Sequence, residues 1–296
     1  MSRATTAAPP HAPAPPASAV WRAGRFSIPL EPRPRLMGIV NVTPDSFSDG
    51  GEFLAPERAV EHGLALAEAG ADILDVGGES TRPGARPVDA REELARVLPV
   101  LEGLAARCDL PLSIDTTKLE VARAALESGA SIVNDVSALR FAPRIAELAA
   151  ETGAGLVLMH MRGEPRTMQL DPRYDDLLAE VGGRLRAAAR RAEVAGVNRE
   201  AIVVDPGIGF GKTPRDSWRL LAGLAELAPG YPVLVGHSRK SFLDPGGTRA
   251  PGDRLPQTLA AGILAALNGA AVLRVHDVEA HARMLEAYRG YEDARG

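Results

Sequence analysis

A chain of 296 residues with 45% apolar content can build one large domain or two modest ones around a real core. A net charge of −4 and a pI near 5.9 exclude a general binder of nucleic acid or membrane surface, so any anion must be caught locally. One cysteine, Cys108, excludes an intramolecular disulfide framework and, placed just before an apolar segment, reads as a buried, inert thiol in a reducing compartment.

Residues 1–24, rich in alanine and proline, read as a disordered extension before a single folded domain over 25–296. They lack the continuous apolar segment of a secretory signal, and no apolar run is long enough to span a bilayer, which predicts a cytoplasmic protein. After a polar lead-in through Arg35, a strand is predicted at Leu36–Val40, then the long loop NVTPDSFSDGG, then an amphipathic helix from Pro56 through Glu68 ended by Gly70. Ile73–Val76 is the second strand, followed by GGESTRPGARP and a helix near 89–107. Leu112–Ile114 ends on Asp115, and TTK leads into a helix that stops at Gly129. Ile132 and Val133 end on Asn134 and Asp135, and Leu156–Leu158 end on Met159 and His160, with no helix assigned between these two strands. A long helix over 174–195 carries arginines on its solvent face.

The sixth strand carries the clearest signal. Ile202, Val203 and Val204 read as a strand buried on both faces, Asp205 closes it, and Pro206 with Gly207, Gly209 and Gly211 forbids its continuation. A carboxylate at a rigid strand end beside a glycine loop suits ligand recognition, although most Asp-Pro pairs only cap turns. A helix over 214–227, a strand at Val233–Val235 ending in GHSRKS, a helix at Arg254–Leu267, a strand at Val272–Val275 leading to His276 and Asp277, and a helix to about Tyr288 complete the chain.

Eight βα units of this length predict an α/β fold, the (β/α)8 TIM barrel. A doubly wound open sheet is the rival, but no GxGxxG follows the first strand. Polar groups collect after nearly every strand: Asn41, the Glu79 to Arg82 loop, Asp115, Asn134, His160, Asp205, Lys240 and the Arg274–His276 pair. A barrel brings all of them to one rim.

Only three of the 34 basic residues are lysines, Lys118, Lys212 and Lys240, and each lies in a loop after an apolar strand, where a compact charge is distinguished from a broad fork. His160, His237 and His276 invite a zinc reading, yet no HxH pair or HExxH anchors one locally. A Schiff-base role for Lys240 competes, but Ser238 and Arg239 beside it suggest a solvated loop. GFGK lacks the spacing of a phosphate loop, and Asp115 taken alone could be a helix cap.

The stretches GIVNVTPDSFSDGG, GADILDVGGESTRPGA, SIDTTK, IVNDVSAL, VDPGIGFGKT, GHSRKSFL and RVHDV, spread from Gly38 to Val278, resemble the dihydropteroate synthases. The resemblance implies a cytoplasmic transferase of folate biosynthesis that joins a dihydropterin methyl diphosphate to 4-aminobenzoate. It implies Asp115, Asn134, Asp205 and Lys240 as pterin readers, with Met159 and Phe210 as apolar walls. It implies Arg274 and His276, with Mg2+ held by Asn41, at the diphosphate, and Thr81 and Arg82 closing over it. Phe47, Pro83 and Ser241, with the helix that follows, would hold the aminobenzoate, and sulfonamides would compete there. A homodimer is implied, and neither nucleic acid nor membrane is a partner. A related barrel that transfers methyl from a methylated folate, or a silent paralogue, is the alternative. His237, where an apolar residue is more usual, and Gln257, in place of a glycine, depart from the pattern and could reshape the ground near Lys240.

Overall fold

The structure, a computed structural model, describes residues 20–42, 55–80, 86–164, 167–227 and 230–295. An antiparallel hairpin, β1 (Val20–Ala23) and β2 (Phe26–Pro29), comes first. Then follow β3 (Arg35–Asn41), α1 (Ala55–Glu68), β4 (Ile73–Gly77), α2 (Ala90–Ala105), β5 (Leu112–Asp115), α3 (Leu119–Glu127), β6 (Ile132–Asp135), α4 (Ile145–Thr152) and β7 (Gly155–Met159). The chain continues with α5 (Leu177–Val194), β8 (Ile202–Asp205), α6 (Pro214–Ala222), α7 (Leu224–Leu227), β9 (Val233–Val235), α8 (Leu255–Leu267), β10 (Ala270–Val275) and α9 (Val278–Arg295). Strands β3 to β10 close into a parallel barrel in chain order, β10 pairing back onto β3. The predicted barrel is therefore the observed one.

Strand alternation explains where the core and the site lie. Leu74, Val76, Val133, Leu156, Leu158, Val204 and Leu273 point outward and pack under the helices in the main core. Met37, Ile73, Ile132, Val157, Val203, Leu234 and Val272 point inward and form a second apolar cluster. Two residues further along these strands come the next inward positions: Ile39, Asp75, Asn134, Met159, Asp205, Gly236 and Arg274, with Ser113 and then Asp115 from β5. The interior thus changes from apolar at the N-terminal end of the strands to polar at their C-terminal end.

The hairpin departs from the expected disordered extension over residues 1–24: Val20–Ala23 form a strand instead. Trp21, Ala23, Ile28 and Leu30 belong to the inward cluster and plug the apolar end of the barrel. Trp21 is wholly buried, and its indole N–H donates to the Ala201 carbonyl at 3.0 Å. Gly155 opens β7 here because a Cβ would come within 3.0 Å of Ala23 Cβ and 3.1 Å of Trp21 Nε1.

Other differences are local. Helix α4, missed in the sequence, is only eight residues long and is closed by Gly153 in the left-handed region. The single helix expected over 214–227 breaks at Gly223, where Leu178 of α5 fills the space of a side chain. The last helix runs on to Arg295. Cys108 is half-buried against the main core rather than buried. No helix among the described residues is long and apolar enough to cross a membrane.

Candidate active site

Arg274, the inward residue of β10 that follows Val272, is the hub of the polar end. Its Nε donates to Asp75 Oδ2 at 2.6 Å and its Nη2 to Asp115 Oδ2 at 2.8 Å, while Asn134 Nδ2 donates to that same Asp75 oxygen at 3.1 Å. Burial, opposed by Arg274 and reinforced by the neighbouring carboxylates of Asp75, Glu93 and Asp135, pushes Asp115 up to about 7. Arg274 itself is raised: burial lowers it, and Asp75 and Asp115 more than offset that.

Asp205 and Lys240 face this hub across Gly236. A Cβ at Gly236 would lie 3.8 Å from Lys240 Nζ, 3.9 Å from Asp205 Oδ2 and 4.0 Å from Arg274 Cβ, so all three side chains meet over one bare stretch of backbone. Asp205 is 5% exposed and accepts the Gly207 N–H on Oδ1 at 2.7 Å, leaving Oδ2 toward the mouth. Gly207 is obligatory there: its φ is +65°, and a Cβ would sit 2.0 Å from the His160 carbonyl oxygen. Burial raises Asp205 and, against the pull of that carboxylate, lowers Lys240 to about 8.

Lys240 is delivered by a strained residue. Arg239 has φ +59°, a conformation costing roughly 1–2 kcal/mol outside glycine. Its fork on Asp277, its N–H on the Thr258 hydroxyl and its carbonyl under Arg254 hold it there. Lys240 Nζ then donates to the Ile208 carbonyl at 2.6 Å and lies 4.5 Å from the Phe210 ring centroid. Phe210 packs with Met159, Val136, Met161 and Met168 as one apolar cluster.

Several strand-end groups serve the scaffold. Lys212 donates to the His160 and Phe210 carbonyls at 3.2 and 2.9 Å and meets His160 Nδ1 at 3.0 Å, and Lys118 joins Glu79 to Glu93 at 2.5 Å each. Asp135 accepts the Ser137 and Leu139 N–H groups and shapes its own loop. His237 turns away from the mouth: it is buried in the seam of α8 and α9, 5.5 Å from the His281 ring, and Gly262 of α8 makes room for its Nε2. Burial lowers it to about 3, so it stays neutral. Gln257 lies in the first turn of α8, outside the polar cluster.

The structure thus brings Asp115, Asn134, Asp205, Lys240 and Arg274 together, with Met159 and Phe210 beside them. His276 stands on the rim, its Nδ1 3.0 Å from Ser238 Oγ. Asn41 ends β3 half-buried, and its side-chain amide makes no hydrogen bond to the described residues. Ser241 is exposed and begins a three-residue 3-10 turn, and the helix that follows it, α8, starts at Leu255. Phe47, Thr81, Arg82 and Pro83 lie outside the described residues. Asp75 was missed, although its signal was available: a carboxylate in the middle of an otherwise apolar strand, ILDV.

The sequence profile described as "Pterin binding enzyme" matches residues 37–276, and the chain belongs to that family. Within it the likeness is to the dihydropteroate synthases. The chain is 49% identical over 247 residues to that of Escherichia coli K12, covering 83% of this chain and 87% of the other. The Xanthomonas albilineans dihydropteroate synthase solved with 4-aminobenzoic acid superimposes with a TM-score of 0.87 at 48% identity, covering 93% of this chain and 99% of that one. Its complex with 7,8-dihydropteroate gives a TM-score of 0.82 at 46% identity, covering 92% and 98%.

Proposed function

We propose that this chain is a dihydropteroate synthase, a transferase that condenses (7,8-dihydropterin-6-yl)methyl diphosphate with 4-aminobenzoate to give 7,8-dihydropteroate and diphosphate. The observation that carries the reading is the meeting of Asp115, Asn134, Asp205 and Lys240 around Arg274. A pterin presents adjacent N–H donors along one edge, and a buried carboxylate accepts them as a flat pair; Asp205, whose Oδ2 makes no hydrogen bond to the described residues and whose Oδ1 keeps a second lone pair beside the Gly207 N–H, takes that part. Asn134 and Asp115 read the remaining polar atoms, Lys240 donates to the ring, and Met159 and Phe210 cover its faces. The bond to the diphosphate breaks toward a pterin-stabilised cation, and the neutral aryl amine then attacks without a dedicated base. His276 and the Arg274 guanidinium answer the charge that grows on the leaving group.

Mg2+ suits Asn41 in its donor chemistry: this cation keeps most of its shell for water and phosphate oxygens and needs few protein ligands, and a neutral amide oxygen at a strand end supplies one. When bound, it would neutralise charge on the leaving diphosphate. Exposed Trp218, Leu264 and Tyr291, on the spatially neighbouring helices α6, α8 and α9, support a homodimer through that side, and sedimentation would read it directly. Soluble operation in the cytoplasm completes the proposal.

Diphosphate release that needs dihydropterin diphosphate, 4-aminobenzoate and Mg2+ together is the test. Expected are stoichiometric dihydropteroate, competition by sulfonamides against the aminobenzoate, and loss of turnover on chelation. Methyl transfer from a methylated folate, without diphosphate release, would instead identify the other class of pterin barrel.

A narrow pH optimum is also expected. Asp115, raised to about 7, must be ionised and so limits kcat/KM on the acid side; Lys240, lowered to about 8, must be charged and so limits it on the alkaline side. Lys240→Arg, whatever its cost in rate, should abolish the alkaline limb, because guanidinium does not titrate there. An alkaline limb that survives this substitution refutes the assignment.

A further inference from the structure

We propose that Asp75 is a positioning residue that sets both the Arg274 guanidinium and the Asn134 amide, and so decides which hydrogen-bonding groups the barrel mouth offers to a pterin. The inference rests on the pterin-diphosphate reading above and adds to it a residue with no assigned role. Asp75 stands in the middle of β4, one inward layer below the mouth, and is wholly buried. A single oxygen, Oδ2, takes both the Arg274 Nε and the Asn134 Nδ2 hydrogens. Oδ1 is buried with no hydrogen-bond partner among the described residues. A carboxylate in this layer is expensive to desolvate, and an aliphatic side chain like Ile39 on the adjacent strand would pack there without that cost. A half-satisfied buried carboxylate is poorly explained as scaffolding.

The geometry supplies the reason. With one amide N–H spent on Asp75, Asn134 must turn its carbonyl oxygen away, because the flipped amide would set oxygen against carboxylate. Asn134 therefore presents an acceptor to the ligand. Arg274, gripped at Nε by Asp75, has its fork aligned so that Nη2 reaches Asp115. One oxygen on β4 thus coordinates readers on β6 and β10 and, through the guanidinium, one on β5.

Asp75→Asn preserves shape and removes the charge that enforces this arrangement. Expected is a fall in kcat/KM for dihydropterin diphosphate of roughly 100-fold, the size of losing charge-assisted hydrogen bonds. At saturating pterin the KM for 4-aminobenzoate should stay within about twofold of wild type. Asn134→Ala should cost roughly tenfold alone and less than about threefold in the Asp75→Asn background, since an undirected amide has little left to lose. Asp115 is faced by Arg274 from β10, Asp75 from β4, Glu93 from α2, Asp135 from β6 and Lys240. Arg274 pulls Asp115 down more strongly than Asp75 pushes it up, so losing the Arg274 alignment should outweigh losing the Asp75 charge and move the acid limb of the rate profile to higher pH, which a merely structural residue would not do.

Additive losses for Asp75→Asn and Asn134→Ala, an unmoved acid limb, or a pterin kcat/KM within about threefold of wild type would each overturn the proposal. Should the asparagine variant fail to fold, Asp75→Glu, which keeps the charge but displaces it by one methylene, carries the same test through its pterin kcat/KM. Turnover by the wild-type chain tests the catalytic reading separately. Without such turnover, calorimetric titration of dihydropterin diphosphate into wild type and Asp75→Asn still decides the role of Asp75.

Discussion

Asp205→Asn is expected to lower kcat/KM for the pterin diphosphate by roughly 10³-fold or more. The carboxylate is almost fully buried, Oδ1 also holds the Gly207 N–H, and Oδ2 makes no hydrogen bond to the described residues, so both can accept from a ligand edge. An amide must keep its oxygen on Gly207 and so turns an NH2 group toward the pterin, where donor meets donor and both lose their partners. Lys240 also loses the negative charge that opposes its desolvation, so the alkaline limb of the rate profile should move to lower pH. Steady-state kinetics at varied pterin diphosphate and fixed 4-aminobenzoate measures the first effect, and the pH profile measures the second. A loss below tenfold would remove Asp205 from the pterin site.

The second large effect lies at the opposite end of the barrel. Trp21→Ala should destabilise the fold by about 3–5 kcal/mol, since a wholly buried indole leaves a cavity and the Ala201 carbonyl loses its donor. Gly155 was shaped to admit this ring, and a neighbour without a side chain cannot expand into the void. The midpoint of urea unfolding should fall with little change in slope. At a temperature where both forms are folded, kcat/KM should agree within about twofold, because the hairpin packs on the apolar layer and touches none of the polar groups. A large rate loss without a loss of stability would contradict this division of the barrel into a plugged base and a working mouth.

The eight barrel strands were legible because each is a short apolar run between breakers, and parallel strands buried on both faces leave that signature. The hairpin was not. Its strands are four residues each, and their alternation, with Arg22 and Ser27 pointing out, resembles a polar lead-in until a barrel base is there to receive Trp21 and Ile28. Helix α4 escaped for the same reason of length.

At the site, what could be read locally was read: polar residues at strand ends, a glycine loop after Asp205, three lysines kept in an arginine-rich chain. Proximity to an apolar strand nevertheless did not separate function from scaffold. Lys118, Lys212 and Lys240 look alike in sequence, yet the first two tie loops to carboxylates or carbonyls, whereas Lys240 meets Asp205 and Arg274 over Gly236. The difference lies in Arg239, whose left-handed backbone re-aims the next residue and is held by Asp277 and Thr258, partners far along the chain.

The residue types and their order along the chain were sufficient for the barrel and for a polar rim, because strand period and breaker positions are local properties. Which polar groups touch was decided by closure. Asp75, Asp115, Asn134 and Arg274 belong to four different strands and share one network only because β10 pairs back onto β3, carrying a residue from the end of the chain to carboxylates nearer its start. Electrostatics in that layer depends on distances across the barrel, and such distances exist only once the sheet has closed.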